Sequence, residues 1–492
     1  MPMVQLASTS FEFILERLSW PVRLARLNAA REYARLLSDP ICGQAALHRY
    51  LSWLGCRKTE NEVCSGLAVL FGMEPTALPK LDSVAGCVQA PSVMAEFMLK
   101  EMYGPVAVTG TWITNHSGEA PPSFEPTAYF ANQRSAQVPP SFAEEMGRLE
   151  RVSGYPFMKQ WAFEWQRVKS TADAPLSGFP YHFIEPSLER SGISAQIDQR
   201  QGDIFRSAYL RTLHCAVENW EMPKDVACES SVRCLPLNRG LIEIEPIDRP
   251  TWLGDRPDAC SASGAPLESL VREILRAGST PEGFLPVYLD IPLSLDVAEF
   301  ATLTIACVLM SEDYVPLNDG DPFSLGAAYW ALPSGALFSG PARPLEVADR
   351  FRPCLSGKCL PLCVSILPWP FGYWHSDLFQ LGLNLPASYS FDAPISYKCT
   401  DRAILTEKGT VPVGRWRTWN DHWTPLYARG GNTRCGCLSE MRAVDIVTAA
   451  DRLSLAVGWT VDLRIWNREK SYGELNLSQR SIHFLDAGGL VR

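Results

Sequence analysis

The short signatures by which catalytic and nucleotide-binding chains most often declare themselves are missing from this sequence. It has no GxxxxGK[ST] loop to wrap phosphates, no GxGxxG, no HExxH pair and no GxSxG elbow. That removes the local support for the commonest nucleotide, dinucleotide, zinc-protease and serine-hydrolase chemistries, although a site assembled from distant residues needs no local motif. No cofactor is expected. Basic excess is also missing: a formal net charge of −9 disfavours a general nucleic-acid or membrane-surface binder, which needs positive charge to displace counterions or meet anionic lipid.

The N-terminus MPMVQLASTSFEFILE lacks the cationic start and apolar core of a secretory signal. The weakly charged runs from Phe323 to Glu346 and from Cys359 to Ser376 are broken by Pro333 and by Pro361, Pro368 and Pro370, so neither reads as a spanning helix and no membrane association is expected. Fifteen cysteines is an odd number, irregularly spaced, which points to reduced thiols in a cytoplasmic, soluble protein.

A chain of 492 residues exceeds one ordinary core, and its patterning predicts an α+β protein with a helical N-terminal region followed by a mixed, strand-rich C-terminal region. Leu24, Leu27, Ala30, Ala34 and Leu37 share a helical face that ends at Asp39-Pro40, because the residue before proline is pushed out of the α region. Leu47, Tyr50, Leu51 and Leu54 form a second stripe. Thr59 and Glu62 read as a capping box ahead of Val63, Leu67, Leu70 and Phe71, and Ser92 as the cap of a helix carrying Met94, Phe97 and Met98. Such helical hairpins suggest a bundle- or solenoid-like packing.

The expected organisation is a helical domain over 1–103, a Pro/Ser/Thr-rich linker or long loop over 104–140 with a strand at Val106 to Thr114, a helical middle region over 141–222, and a strand-rich α+β domain over 223–492. In the middle region Ser141 with Glu144 caps one helix, Met158 to Val168 forms another, and Asp203 caps a long helix carrying Phe205, Tyr209, Leu213, Val217 and Trp220, with 171–202 irregular. Strands are expected at Leu241 to Ile247, Phe284 to Leu295, Ala301 to Met310, Trp459 to Trp466, Glu474 to Leu477 and Ser481 to Leu485, with a turn at Tyr472-Gly473. Helices are expected at Leu267 to Ala277 and Ser439 to Ala456.

Four groups of residues could carry chemistry. The stretch 414–437, GRWRTWNDHWTPLYARGGNTRCGC, interleaves Arg415, Arg417, Arg429 and Arg434 with Trp416, Trp419, Trp423 and Tyr427, so guanidinium and ring faces could bind an anion or stack on bases. Its bland reading is a strand whose Trp rings fill the core under Arg stems. His375 and Asp377, two residues apart and therefore on one face of a strand, and His422 beside Asp421 are candidate general bases for a hydrolase with a thiol such as Cys399 as nucleophile. Cys354, Cys359, Cys363, Cys435 and Cys437 lack zinc-knuckle spacing, so no metal is expected. Glu243, Glu245 and Asp248, and Glu312, Asp313, Asp319 and Asp321, read as a solvated strand face and a turn.

Fifteen tryptophans serve either several large cores or exposed interface hot spots, where Trp and Arg dominate. The reading that follows is an interaction or recognition subunit of a larger assembly with a protein partner. The alternatives are the hydrolase at His375 and Asp377 or His422, and nucleic-acid binding through 414–437. Whether the chain is an enzyme stays open at this level.

Overall fold

The computed structural model describes residues 2–20, 22–104, 118–125, 140–171, 193–253, 265–295, 299–311, 359–366, 372–377, 383–420, 435–467 and 476–487. The chain is an α+β protein, helices first and sheet after. It divides into two compact units, one of residues 1–242 with 369–375 and one of 243–368 with 376–492. Regions 1–103 and 141–222 thus belong to the same unit.

The helical unit contains α1 (Pro2–Arg17), α2 (Arg23–Ser38), α3 (Gly43–Leu54), α4 (Glu60–Leu67), α5 (Leu81–Ala85), α6 (Val93–Tyr103), α7 (Pro140–Ser153), α8 (Phe157–Thr171), α9 (Ile193–Asn219) and α10 (Lys224–Ser231). Local chemistry sets several ends. α2 stops at Asp39 in extended conformation before Pro40, and the Asp39 carboxylate then accepts from the backbone N–H of Ile41 and of Cys42, each at 2.8 Å. The Thr59/Glu62 capping box forms, with Thr59 N–H donating to Glu62 Oε2 at 3.2 Å. Ser92 Oγ accepts from Ala95 N–H at 3.1 Å at the start of α6. The inward faces bury Leu27, Tyr33, Tyr50, Leu67, Met98, Trp161, Tyr209 and Leu213, the apolar burial that makes short helices stable.

The sheet unit is built on one antiparallel sheet in the order β11-β10-β2-β1-β9-β8-β7-β6, with β3 pairing the end of β2 and β4–β5 forming a separate hairpin. These strands are β1 (Phe284–Leu295), β2 (Glu299–Met310), β3 (Cys359–Pro361), β4 (Cys363–Ile366), β5 (Leu383–Pro386), β6 (Ile395–Cys399), β7 (Ile404–Lys408), β8 (Val411–Asn420), β9 (Cys435–Arg442), β10 (Ala456–Asn467) and β11 (Asn476–Asp486). The unit also carries α11 (Ala265–Ala277), and α12 (Ala443–Leu453), which packs on β9 and β10. Along β10, Trp459, Val461, Leu463 and Ile465 are buried at every second position, the period-2 pattern of a half-buried strand.

Several expectations are corrected. Leu241 to Ile247 forms no strand: a 3-10 turn ends at Leu241, Ile242 and Glu243 continue it as a turn, and an irregular stretch follows. Ile242 and Ile244 are buried and Glu243 and Glu245 exposed as the alternation requires, but this stretch joins no ladder. Residues 439–442 continue β9, and the following helix covers 443–453 rather than 439–456. Residues 476–477 and 481–485 belong to the single strand β11, Asn476–Asp486, and 474–475 lie outside the described residues. α9 begins at Ile193, so 193–202 is helical and Asp203 lies inside the helix rather than at its cap. α7 begins at Pro140, which places Ser141 within it; proline suits that first position, where no N–H is needed. The strand at Val106 to Thr114 and the turn at Tyr472-Gly473 lie outside the described residues.

One short segment returns to the helical unit from far along the sequence. Tyr373 N–H donates to Leu235 O at 2.9 Å and Trp374 N–H to Pro236 O at 3.0 Å. This contact requires Gly372, whose φ is +87° and where a Cβ would stand 2.5 Å from the Cα and N of Leu237. Gly372→Ala is therefore expected to cost about 3 kcal/mol or more, combining left-handed strain with backbone overpacking, read as a fall in the urea midpoint.

Candidate functional site

On β8, Arg415 and Arg417 emerge on one face while Trp416 points to the other. Both guanidinium groups converge on Glu440 of the neighbouring β9, which is buried. Arg415 Nε donates to Glu440 Oε2 at 2.7 Å and its Nη2 to Oε1 at 3.0 Å, and Arg417 Nη2 donates to Oε2 at 2.6 Å. Register produces this meeting, because Arg415 faces Glu440 directly and Arg417 faces Leu438 beside it. The Arg415 guanidinium also lies 4.7 Å from the centre of the Phe284 ring. Two cations share this one carboxylate on side chains that remain partly exposed, and Arg415 also draws on the carboxylate of Glu282.

The tryptophans of this stretch do something else. Trp416 and Trp419 are fully buried, and Trp419 lies across Gly436, its directly paired residue, where any Cβ would meet its ring at 2.2 Å. Their ring faces belong to the sheet's packing and are withheld from base stacking. Trp423, Arg429, Arg434 and His422 lie outside the described residues.

His375 and Asp377 sit on a 3-10 turn, Tyr373–Asp377, instead of a strand. In such a turn successive residues rotate by roughly 120°, so positions two apart diverge rather than share a face. His375 is fully buried, with Nε2 at 3.1 Å from Leu241 O. Cys363, Cys435 and Cys437 are buried, Cys399 is half-buried, and none is in a disulfide. Burial holds the Cys363 and Cys437 thiols far above the usual thiol range, the opposite of what a thiolate nucleophile needs. Among the described residues no three His, Cys, Asp or Glu side chains draw together as a metal cage, and no helix is long and apolar enough to cross a membrane.

The helical unit contains a polar cluster that sequence reasoning missed. Asn61 Nδ2 donates to Asp203 Oδ1 at 2.6 Å and to Tyr373 Oη at 3.2 Å, while Asn61 N–H donates to Ser207 Oγ at 3.1 Å. The Arg26 guanidinium approaches Asp203 to 4.0 Å, and Arg206 lies over the Tyr373 ring at 3.8 Å. Nearby on α4, buried Glu60 accepts from Arg211 Nε at 2.6 Å. Burial raises Glu60 to about 7 against the opposing pull of Arg211, and raises Asp203 to about 6 against Arg26 and Arg206.

From this cluster Arg26 reaches outward, its Nε donating to the carbonyl of Trp20. Phe11, Leu15 and Leu18 point into the core at helical spacing. Phe13, Arg17 and Trp20 repeat that spacing on the outer face. Phe13 is 53% and Trp20 40% exposed, their rings meet edge to face at 6.5 Å, and the Arg17 guanidinium covers both at 4.5 and 5.0 Å. Among the described residues Trp20 is the one exposed tryptophan. The signal that would have found this trio is its i, i+4, i+7 spacing, offset from the buried stripe.

The two raised carboxyls set a pH dependence. Each retains in the folded chain a proton that the unfolded chain releases, so folding stability falls as pH rises, from 4.5 to about 7 for Glu60 and from 3.8 to about 6 for Asp203. Urea midpoints of the full chain are expected to decline between pH 5 and pH 7, and to decline less in Glu60→Gln; equal slopes would remove Glu60 as the cause. The chain matches no protein family, and a search of curated proteins finds no match to it either.

Proposed function

We propose that this protein is an interaction subunit of a larger assembly, recognising a protein partner through the exposed Phe13 and Trp20 of its helical unit and the half-buried Arg17 stacked on them. The observation that carries this reading is the contrast among its tryptophans. Trp161, Trp374, Trp416, Trp419 and Trp459 are spent on cores, while Trp20 is held at the surface with an arginine stacked on it. An aromatic pair left in water wastes apolar area unless a partner covers it, and Trp and Arg are the residues that dominate interface hot spots. The Trp20 turn is also pre-set by Arg26 from inside the unit, which lowers the ordering cost of binding.

Arg415 and Arg417 supply a second contact of different character. Their partly exposed guanidinium groups, oriented by Glu440, suit an acidic group on a partner. Burial of Trp416 and Trp419 favours a protein partner over a single-stranded nucleic acid, since stacking platforms need exposed ring faces.

The test is quantitative co-purification of the full chain from its native source, wild type against Arg17→Ala/Trp20→Ala. The variant is expected to melt within a few degrees of wild type, because Trp20 is exposed and Arg17 half-buried, outside the core stripe of Phe11, Leu15 and Leu18. It is expected to lose the stoichiometric partner, with affinity reduced about thirtyfold, the scale of a hot-spot residue. Full retention of the partner by the variant refutes the assignment.

A further inference from the structure

Trp20 follows the end of α1, and its backbone is fixed at two points. Its N–H donates to Arg17 O at 3.1 Å, and its carbonyl accepts from Nε of Arg26 on α2. The next residue in sequence is Pro21, which has no N–H to carry a helical turn onward. Arg26 therefore holds the turn from inside the helical unit, and the ring displayed at the surface depends on a buried guanidinium staying where it is.

What keeps it there is charge. Arg26 is buried, and the Asp203 carboxylate of α9 faces it at 4.0 Å. The other groups around Asp203 are Arg206, a turn along α9, and Asn61 and Glu62 of α4, while Tyr373 of the returning segment shares Asn61 with it and Arg23 lies near Arg26. Burial, the largest influence, and Glu62 oppose the ionised carboxyl, Arg26 and Arg206 favour it, and it protonates at about 6. Among the described residues nothing accepts from the buried Nη2 of Arg26. Neutral Asp203 thus leaves a buried cation without its counter-charge, which is strongly destabilising, and moving the guanidinium to water frees the Trp20 carbonyl.

Resting on the reading of Phe13, Arg17 and Trp20 as the recognition surface, we propose that Asp203 is its positioning residue: proton uptake by this carboxyl releases Arg26 and the Trp20 turn, so the partner is held at neutral pH and released in mildly acidic surroundings. With Arg26 in place the carboxyl binds its proton less tightly than with Arg26 displaced, so the set turn gains population as pH rises through about 6. Folding of the whole chain has the opposite slope, because its reference is an unfolded carboxyl in water. The turn and the global fold thus respond to pH in opposite directions.

The experiment is fluorine NMR of the full chain labelled with fluorotryptophan, the Trp20 signal being the one lost in Trp20→Phe. From pH 7 to pH 5 that signal is expected to shift with a midpoint of about 6, while Asp203→Asn, uncharged throughout, is expected to hold it at the acidic position at both pH values. Glu60→Gln is expected to keep the wild-type titration. Arg26→Gln removes the same link from the other side, is expected to give a flat response too, and serves where Asp203→Asn does not fold. Co-purification of the partner with wild type is expected to weaken about fivefold between pH 7 and pH 5, for an arginine that alters the carboxyl's proton affinity by about tenfold, and to be weak at both in Asp203→Asn. A Trp20 signal that does not titrate, or one that titrates alike in wild type and Asp203→Asn, overturns the proposal, as does a partner bound equally at both pH values. A signal that titrates only with Asp203 present upholds the control of the turn by this carboxyl, and the absence of any partner at either pH then counts against the recognition reading alone.

Discussion

Polar groups that folding removes from water need partners, and in the helical unit a hydrogen-bonded cluster around Asp203 supplies several of them. A carboxylate in the body of a long helix is costly to bury, and its cost is offset by Asn61 of α4 and by Arg26 of α2. The same asparagine holds the hydroxyl of Tyr373, carried by a segment more than three hundred residues away in sequence. One cluster therefore ties together α2, α4, α9 and the returning segment. Helices that share only apolar contacts can slide by a turn at modest cost, whereas a hydrogen-bonded cluster has one satisfied arrangement.

The surface proposed for recognition inherits this order. Arg26 faces Asp203 with one part of its guanidinium and fixes the Trp20 carbonyl with another, so the buried cluster dictates the turn that displays the aromatic pair. Link by link, a charge requirement in the interior becomes a surface geometry. The sheet unit solves its own version of the problem. Glu440 on β9 is buried because register delivers two guanidinium groups to it.

Tryptophan use follows from these arrangements rather than from composition. A ring on β8 is core or contact depending on which side of the sheet it leaves and what lies across from it. Trp419 is accommodated because its paired residue is Gly436, with no side chain to compete for the space. Trp20 remains outside because Phe11, Leu15 and Leu18 already occupy the inward face of the first helix and turn.

The sequence by itself determined whatever is settled within a few residues. The stop of α2 at Asp39-Pro40, the Thr59/Glu62 box, the Ser92 cap, the long strands starting at Phe284 and near Ala301, and the succession of helices then sheet all rest on local sterics and periodicity. Tertiary structure alone decided the rest, because hydrogen bonding and burial are completed by groups remote in the chain. Leu241 to Ile247 has the alternation of a strand and the matching burial, but its backbone N–H groups at Glu245 and Ile247 go singly to Asp401 O and Thr418 O rather than into a ladder. Asp203 has the local look of a helix cap, yet its partner is Asn61. His375 and Asp377 have strand spacing, yet the backbone at Gly372, fitted against Leu237, leads into a 3-10 turn. Whether Trp416, Trp419 or Trp20 meets water was likewise a matter of what packs opposite, which periodicity does not encode.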